Sequence, residues 1–352
     1  VEIIDAHDRF EIITNLINKK SKNKLLWIIC IITFLLSAVL DNLTTTIVMV
    51  SLVRKIMDDK NDRLFFAGMI VIAANAGGAF SPIGDVTTTM LWIGGQITAS
   101  NIITKLLLPS ITCLLVPLVI VMRYVKGNFS QVTNEMKNVL TPREKTDRTI
   151  IFWIGILSLL SVPVFKTITH LPPFIGMLIA LSIVWISTEI IHRHKNDEDK
   201  DVLSVSHALR KIDTPSILFF LGILLAIGAL QSTGQLTDMA VWLTTHLKTD
   251  NQITLSIGIL SAVVDNVPLV AAAKAMFSLQ QYPTDHYFWE LLAYTTGTGG
   301  SILIIGSAAG VAAMGLERID FIWYLKKFSL WALLGYFAGA AVYILQHYLT
   351  RI

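Results

Sequence analysis

Long apolar runs alternate with short polar segments along most of the chain. Runs long enough to cross a bilayer lie at 25–53, 64–95, 103–122, 149–165, 171–191, 214–230, 252–281, 287–315 and 328–348. Backbone polar groups in lipid must be satisfied within the segment or in a closed barrel, and runs of this length favour helices. The pattern therefore predicts an all-α polytopic membrane protein.

Composition supports this class and leaves little room for a soluble domain. Hydrophobic residues make up 53% of the chain and charged residues 15%, whereas soluble domains carry about 25% charged residues. The two cysteines, Cys30 and Cys113, lie inside apolar runs, where packing is the expected role. We expect the lipid bilayer as a partner, no nucleic acid, and no enzymatic activity.

The positions of Lys and Arg predict which ends of the runs face the cytoplasm. Basic residues flank run 25–53 on both sides, so both of its ends are predicted to be cytoplasmic. A segment with both ends on one side cannot cross once, which predicts a re-entrant hairpin with its tip at Asp41 and Asn42. Run 252–281 is followed by QQYPTDH, which has no Lys or Arg, and predicts a second hairpin that enters from outside.

The chain contains two copies of one unit. SAVLDN at 37–42 corresponds to SAVVDN at 261–266, and NAGGAFSPIGD at 75–85 corresponds to GTGGSILIIGS at 297–307. Each copy joins a re-entrant hairpin to a helix that glycines break, and the topology places the copies in opposite orientation. This predicts an inverted repeat, as in secondary transporters, with ion sites near the bilayer midplane.

This organisation divides the chain into five parts. They are an interfacial amphipathic segment at 1–24; a first repeat at 25–126, with hairpin 25–53, broken helix 64–95 and helix 103–122; a cytoplasmic loop at 127–148; scaffold-type helices at 149–230, with a cytoplasmic loop at 192–213; and a second repeat at 252–350, with hairpin 252–281, broken helix 287–315 and last helix 328–348.

Polar residues at the hairpin tips and helix breaks form the candidate site. An unpaired carboxylate in a bilayer costs roughly 2.5 to 3.5 kcal/mol on insertion scales, so Asp41 needs compensation or a function. Oxygen ligands of this kind suit a hard cation such as Na⁺. The predicted Na⁺/H⁺ site consists of Asp41, Asn42, Thr44, Asn75, Asp85, Thr87, Thr88, Ser261, Asp265, Asn266, Ser301 and Ser307.

The two halves of this site are predicted to be unequal. Ser307 stands in the second copy where the first has Asp85, so the first half is the more acidic. Asp265 has an alternative role as the cap of the outer half-helix. Ser37 and Ser261 each precede an aspartate by four residues, and we expect their hydroxyls to hydrogen-bond those carboxylates.

Across most of its length the chain resembles the NhaD-type sodium/proton antiporters of the ion transporter superfamily. The resemblance rests on IDAHDRF, SAVLDNLTTTIVMV, NAGGAFSPIGDVTTTMLWIGG, SAVVDNVPL and TGTGGSILIIGSAAG. It implies exchange of Na⁺, with Li⁺ as a second candidate cation, for H⁺ without any cofactor. It also implies a homodimer formed through scaffold helices in the bacterial cytoplasmic membrane. Family members carry further helices before the amphipathic segment, so we expect the chain to be a fragment.

Two other classes of function are also compatible with these residues. A Na⁺-coupled carboxylate carrier or an arsenite exporter of the same superfamily is the nearer alternative, although neither hairpin tip offers an arginine to bind a carboxylate substrate. An intramembrane aspartyl protease is more remote. It uses a Gly-x-Gly-Asp sequence, in which Pro82 here replaces the first glycine, and it gives no purpose to a duplicated Asp-Asn pair.

Overall fold

The computed structural model describes residues 21–125, 127, 142–169, 171, 173–192 and 232–350, with isolated positions between 218 and 230. Most of the predicted amphipathic segment, of the loops at 127–148 and 192–213, and of the run at 214–230 therefore lies outside the described residues. Every element of regular structure in the described part is helical, which confirms the all-α class.

The helices are numbered here in chain order. They are α1 (Lys22–Leu40), α2 (Asn42–Ile56), α3 (Lys60–Ala79), α4 (Val86–Ile93), α5 (Ala99–Val121), α6 (Pro142–Thr169), α7 (Pro173–His192), α8 (Gln235–His246), α9 (Asp250–Leu260), α10 (Asn266–Met276), α11 (Tyr287–Gly299), α12 (Ala308–Glu317), α13 (Phe321–Tyr324) and, after a π-helical turn at Leu325–Ser329, α14 (Leu330–Thr350). Helices α6 and α7 pack together in one compact unit, and the other helices form a second.

Four helices of the described part are long and apolar enough to cross a membrane: Lys22–Leu40, Ala99–Val121, Phe174–Ile191 and Phe321–Leu349. Three shorter helices, Asn42–Arg54, Thr149–Phe165 and Ala308–Glu317, are also apolar. Both sets lie within or beside the predicted runs. Helix α1 has 19 residues and rises ~28 Å, so it is longer than the predicted hairpin arm that starts at residue 25.

Both ends of the α1–α2 pair lie beside the start of α3. At the start of α1, the Lys22 ammonium lies 2.5 Å from the Asp62 carboxylate. At the end of α2, Arg54 lies 3.5 Å from Glu317, whose other carboxylate oxygen accepts a hydrogen bond from Arg63 at 3.1 Å. Since Asp62 and Arg63 are neighbours in the first turn of α3, the chain has turned back between α1 and α2.

The α9–α10 pair has the same relation to α11. The Tyr287 hydroxyl, at the start of α11, donates to the Asn251 amide oxygen at the start of α9 at 2.5 Å. Just past the end of α10, the ring of Phe277 packs edge-on against that of Phe288, with centroids 4.8 Å apart. The chain has therefore also turned back between α9 and α10.

Helices α3 and α11 begin at opposite ends of this compact unit. The segment after α4 meets the segment before α11, where the Thr98 amide and hydroxyl donate to Asp285 at 2.6 and 2.8 Å. The end of α12 meets the start of α3 through Glu317 and Arg63. The broken helix α3–α4 therefore runs antiparallel to the broken helix α11–α12.

Two boundaries differ from the predicted organisation. Helix α6 begins at Pro142, so the last residues of the predicted loop 127–148 are helical; proline is favoured in a first helical turn. Helix α8 occupies a stretch for which no element was predicted, because its mixture of polar and apolar residues falls below the hydropathy of a spanning run.

Close packing of α1 against α3 makes Gly77 sensitive to substitution. A Cβ atom at Gly77 would lie 2.2 Å from the carbonyl oxygen of Phe34, a main-chain atom that cannot rotate away. We expect Gly77→Ala to lower the free energy of unfolding in detergent by about 3 kcal/mol. Gly315→Ala in α12 is the matched control, since that position has open space around it and alanine favours helix there. Equal stability of the two variants would contradict this packing.

Candidate functional site

Asp85 lies at the break between α3 and α4, where it contacts Asn42 at the start of α2 and Asn266 at the start of α10. It is 2% exposed. One carboxylate oxygen, Oδ1, accepts hydrogen bonds from the Thr87 amide at 2.9 Å and the Thr87 hydroxyl at 2.8 Å. The other, Oδ2, accepts from the side-chain amides of Asn42 at 2.7 Å and Asn266 at 3.4 Å. These neutral donors offset part of the cost of burying the carboxylate.

Asn75 connects the first half of the chain to the second. It is fully buried in α3, and its side-chain oxygen accepts from Asn42 at 3.0 Å. Its side-chain nitrogen donates to the hydroxyls of Ser301 and Ser307, both at 2.9 Å. Ser301 and Ser307 bound the break between α11 and α12, so one amide links the two breaks.

Asp41 forms the turn between α1 and α2 in an unusual backbone conformation. Its φ of 77° and ψ of 160° lie in a region that only glycine adopts readily, at a cost of order 1–3 kcal/mol for other residues. Its carboxylate caps α2 by accepting from the Thr44 amide at 2.8 Å and the Thr44 hydroxyl at 2.9 Å. Such strain at an acidic residue is typical of functional sites.

Asp265 has a different environment from Asp41. It precedes α10, but its side chain makes no capping hydrogen bond, so the alternative role as a helix cap is wrong. Its Oδ1 atom is buried and has no hydrogen-bond partner. The side-chain amides next to Asp41 and Asp265, those of Asn42 and Asn266, both donate to Asp85. The structure thus brings all three predicted aspartates into one region.

The prediction that Ser37 and Ser261 hydrogen-bond the following aspartates is wrong. The Ser37 hydroxyl donates to the Ala74 carbonyl at 2.6 Å, and the Ser261 hydroxyl donates to the carbonyls of Gly258 and Thr296 at 2.7 and 3.2 Å. The expected spacing requires a continuous helix, whereas α1 ends at Leu40 and α9 at Leu260. Both hydroxyls instead bond the neighbouring broken helix.

The threonines near the site differ in how their hydroxyls are used. The hydroxyls of Thr44 and Thr87 donate to the carboxylates of Asp41 and Asp85, respectively. The Thr88 hydroxyl donates to the Asp85 main-chain carbonyl at 2.9 Å. Thr45 and Thr46 are fully buried, and their hydroxyl oxygens have no hydrogen-bond partner. Both belong to the run Thr44–Thr46, whose hydroxyls the sequence predicts as oxygen donors beside Asp41.

The assembled groups are carboxylates, amides and hydroxyls, with two buried hydroxyl oxygens left unused. Among the described residues, no three His, Cys, Asp or Glu side chains group as a metal-binding cluster. Oxygen donors of low total charge suit a monovalent hard cation better than a transition metal. A buried carboxylate can also hold a proton in place of that cation. The arrangement can therefore bind Na⁺ or H⁺ alternately.

Comparisons with known proteins agree with this chemistry. A family model described as citrate transporter, CitMHS, matches residues 1–299. Sodium/proton antiporter 1 of Arabidopsis thaliana is 47% identical over 99% of this chain, which spans 60% of that relative's length. Sodium/proton antiporter 2 of the same plant is 44% identical over 99% of this chain and 82% of the relative. The Na⁺/H⁺ antiporter NhaD of Vibrio cholerae is 32% identical over 92% of this chain and 70% of the relative.

Proposed function

The chain belongs to the citrate transporter family and to its branch of sodium/proton antiporters, and from this premise we propose that it exchanges Na⁺ for H⁺ across a membrane. It is a transporter and not an enzyme. We further propose alternating access as the mechanism, Li⁺ as an alternative cargo cation, and Na⁺ and H⁺ themselves as the bound species, with no cofactor.

One observation carries the proposal: a buried carboxylate receives the amides of both hairpin tips. Asp85 has only amide, hydroxyl and main-chain N–H donors among the described residues, so no fixed cation neutralises it. A carboxylate without a permanent counter-ion in a membrane protein favours binding a mobile one. Because Na⁺ and H⁺ compete for the same oxygens, binding of one releases the other, which is the requirement for antiport.

The family description favours one other candidate, a carrier of carboxylates such as citrate. That function calls for a cationic side chain at the site to bind the substrate. Arg54 and Arg63 instead bind Glu317, and Arg54 lies twelve residues beyond Asn42 in α2, or ~18 Å along the helix. Lys274 donates to the Met90 carbonyl at the end of α4. The charge arrangement thus supports a cation as cargo.

The helix contacts support the finer architecture that we propose. The meeting of both ends of α1–α2 at the start of α3 supports a re-entrant hairpin, and the same relation of α9–α10 to α11 supports a second. The antiparallel course of the two broken helices supports an inverted repeat. On this basis, we propose the first repeat at 25–126 and the second at 252–350 as the units of that repeat.

Cysteine labelling tests the inverted orientation. In a background with Cys30 and Cys113 replaced by alanine, Asn61→Cys should react with an impermeant maleimide only from the cytoplasmic side and Thr284→Cys only from outside. Both positions are exposed and lie at opposite ends of the compact unit. Labelling of both variants after detergent solubilisation controls for reactivity. Labelling of both from the same side would contradict the inverted repeat.

Vesicle transport tests the function itself. In vesicles with an imposed pH gradient and no organic anion, addition of Na⁺ should collapse the gradient through the purified full-length protein. K⁺ at the same ionic strength is the control, and Li⁺ tests the second cation. A gradient that collapses only when citrate is also present would contradict the proposal and favour the carboxylate carrier.

We propose a homodimer formed through scaffold-type helices at 149–230. Its support is the exposed apolar surface of α6 and α7, with Trp153, Leu157, Leu178 and Ile186 each more than half exposed. Such a surface needs lipid or a partner chain to cover it. We also propose the bacterial cytoplasmic membrane, on the support of the Vibrio relative, with a plant membrane as the second candidate because of the higher identity to the Arabidopsis proteins.

A further inference from the structure

We propose that each chain holds one cation site rather than one in each repeat, and that the second repeat completes this single site. The inference rests on the proposed function and adds its stoichiometry. Two copies of a hairpin and a broken helix suggest two equivalent sites. The second copy, however, lacks most of the polar side chains that would form a second cation site.

The backbone frames of the two copies are alike at the helix breaks. A Cβ atom at Gly84 would lie 2.6 Å from the carbonyl oxygen of Ser37, and one at the corresponding Gly306 would lie 2.7 Å from that of Ser261. The hydroxyls of those two serines also both donate to a carbonyl of the neighbouring broken helix. At the helix breaks, the differences between the copies therefore come from side chains.

The oxygen-bearing side chains of the first copy have apolar or smaller counterparts in the second. The positions corresponding to Thr44–Thr46 are Pro268, Leu269 and Val270, and those corresponding to Thr87–Thr89 are Ala309, Gly310 and Val311. Asp85 corresponds to Ser307. A cation that leaves water needs several protein oxygens in place of its hydration shell. The second copy lacks most of them.

Contacts between the copies show the same asymmetry. Asn75 donates to Ser301, and the equivalent contact on the other side joins Gly297 to Ala79, where a Cβ at Gly297 would lie 3.0 Å from that of Ala79. One side of the interface therefore has a polar bridge, and the other has only small apolar groups.

The hairpin asparagines also converge on one carboxylate. Asn42 and its counterpart Asn266 both donate to Oδ2 of Asp85, so the second hairpin contacts the acid of the first copy. Asp265 has neither the capping bonds nor the strained backbone of Asp41. The second repeat thus supplies Asn266, Ser301 and Ser307 as groups that position Asp85 and Asn75.

Counting bound Na⁺ tests this inference. Calorimetric titration of the purified full-length protein with NaCl, at alkaline pH and constant ionic strength set by choline chloride, should give one Na⁺ per chain. Asp59→Asn, a change at an exposed helix cap outside the site, should still bind one Na⁺, with an affinity within about threefold of wild type, a difference of less than 1 kcal/mol. Asp85→Asn should bind none.

Each outcome bears on a separate claim. Two Na⁺ per wild-type chain, or one Na⁺ remaining in Asp85→Asn, would overturn the single site while leaving the proposed exchange intact. Absence of Na⁺ binding by folded wild-type protein would overturn the proposed function and this inference together. The wild-type count decides the matter even if a variant does not fold, and size-exclusion chromatography reports folding in each case.

Discussion

Replacing Asp85 by asparagine is expected to abolish Na⁺/H⁺ exchange in vesicles while the protein remains folded. The side chain keeps its shape and one oxygen for the Thr87 amide, but it can no longer gain and lose a proton. The lost bond from Asn42 should lower the free energy of unfolding by about 1–3 kcal/mol, too little to unfold a stable membrane protein. The measurement is the rate at which Na⁺ dissipates a pH gradient.

Asp59→Asn is the matched control for this change. Asp59 is exposed and caps α3 by accepting a hydrogen bond from the Asp62 amide at 2.8 Å, and asparagine caps helices equally well. This variant should exchange at the wild-type rate. Wild-type exchange by Asp85→Asn, reconstituted to the same level, would remove Asp85 from the mechanism and the site from this part of the fold.

The second large effect concerns the dependence of Na⁺ affinity on pH. If Asp85 must lose a proton to bind Na⁺, the apparent affinity should rise tenfold for each pH unit, or about 1.4 kcal/mol, while the carboxylate is mostly protonated. It should level off at higher pH, where no proton remains to be displaced. If Asp41 also loses a proton, the rise becomes a hundredfold per unit, and Asp41→Asn should return it to tenfold.

Titration of Na⁺ binding across a series of pH values measures this dependence. Asp59→Asn again serves as the control and should show the wild-type slope. The linkage is reciprocal by thermodynamic necessity, so saturating Na⁺ should also make the site harder to protonate. A Na⁺ affinity that falls as pH rises would contradict competition between Na⁺ and H⁺ for one carboxylate.

Much of the architecture could be predicted because it depends on local sequence. Apolar runs and glycine-rich breaks appear directly in the chain, and the duplicated Asp-Asn pairs mark both turns. The break at Asp41 and the one after Ala79 lie where the sequence places them. The start of α1 could not be predicted from the apolar run. Lys22 extends the helix by pairing with Asp62, and hydrophobic periodicity does not reveal such a contact.

The candidate site was predictable in its residue types but not in its connections. Asn75 reaches Ser301 and Ser307 across more than two hundred residues, and no pattern along the chain specifies that pairing. Helical spacing does not extend past a helix end, so Ser37 and Ser261 bond main-chain carbonyls of the neighbouring broken helices and not the following aspartates. The sequence therefore predicts which acids and amides form the site, whereas the tertiary contacts show that Asn42 and Asn266 both bind Asp85.

Proton release on Na⁺ binding measures the competition between Na⁺ and H⁺ for Asp85. Calorimetry of the purified full-length protein in two buffers of different ionisation enthalpy gives the number of protons released per Na⁺ bound. We expect release of one proton if Asp85 alone takes part and of two if Asp41 also does, at a pH where these carboxylates are protonated. Na⁺ binding of the same affinity at every pH, with no proton released, would contradict antiport by competition and favour a Na⁺-coupled carboxylate carrier.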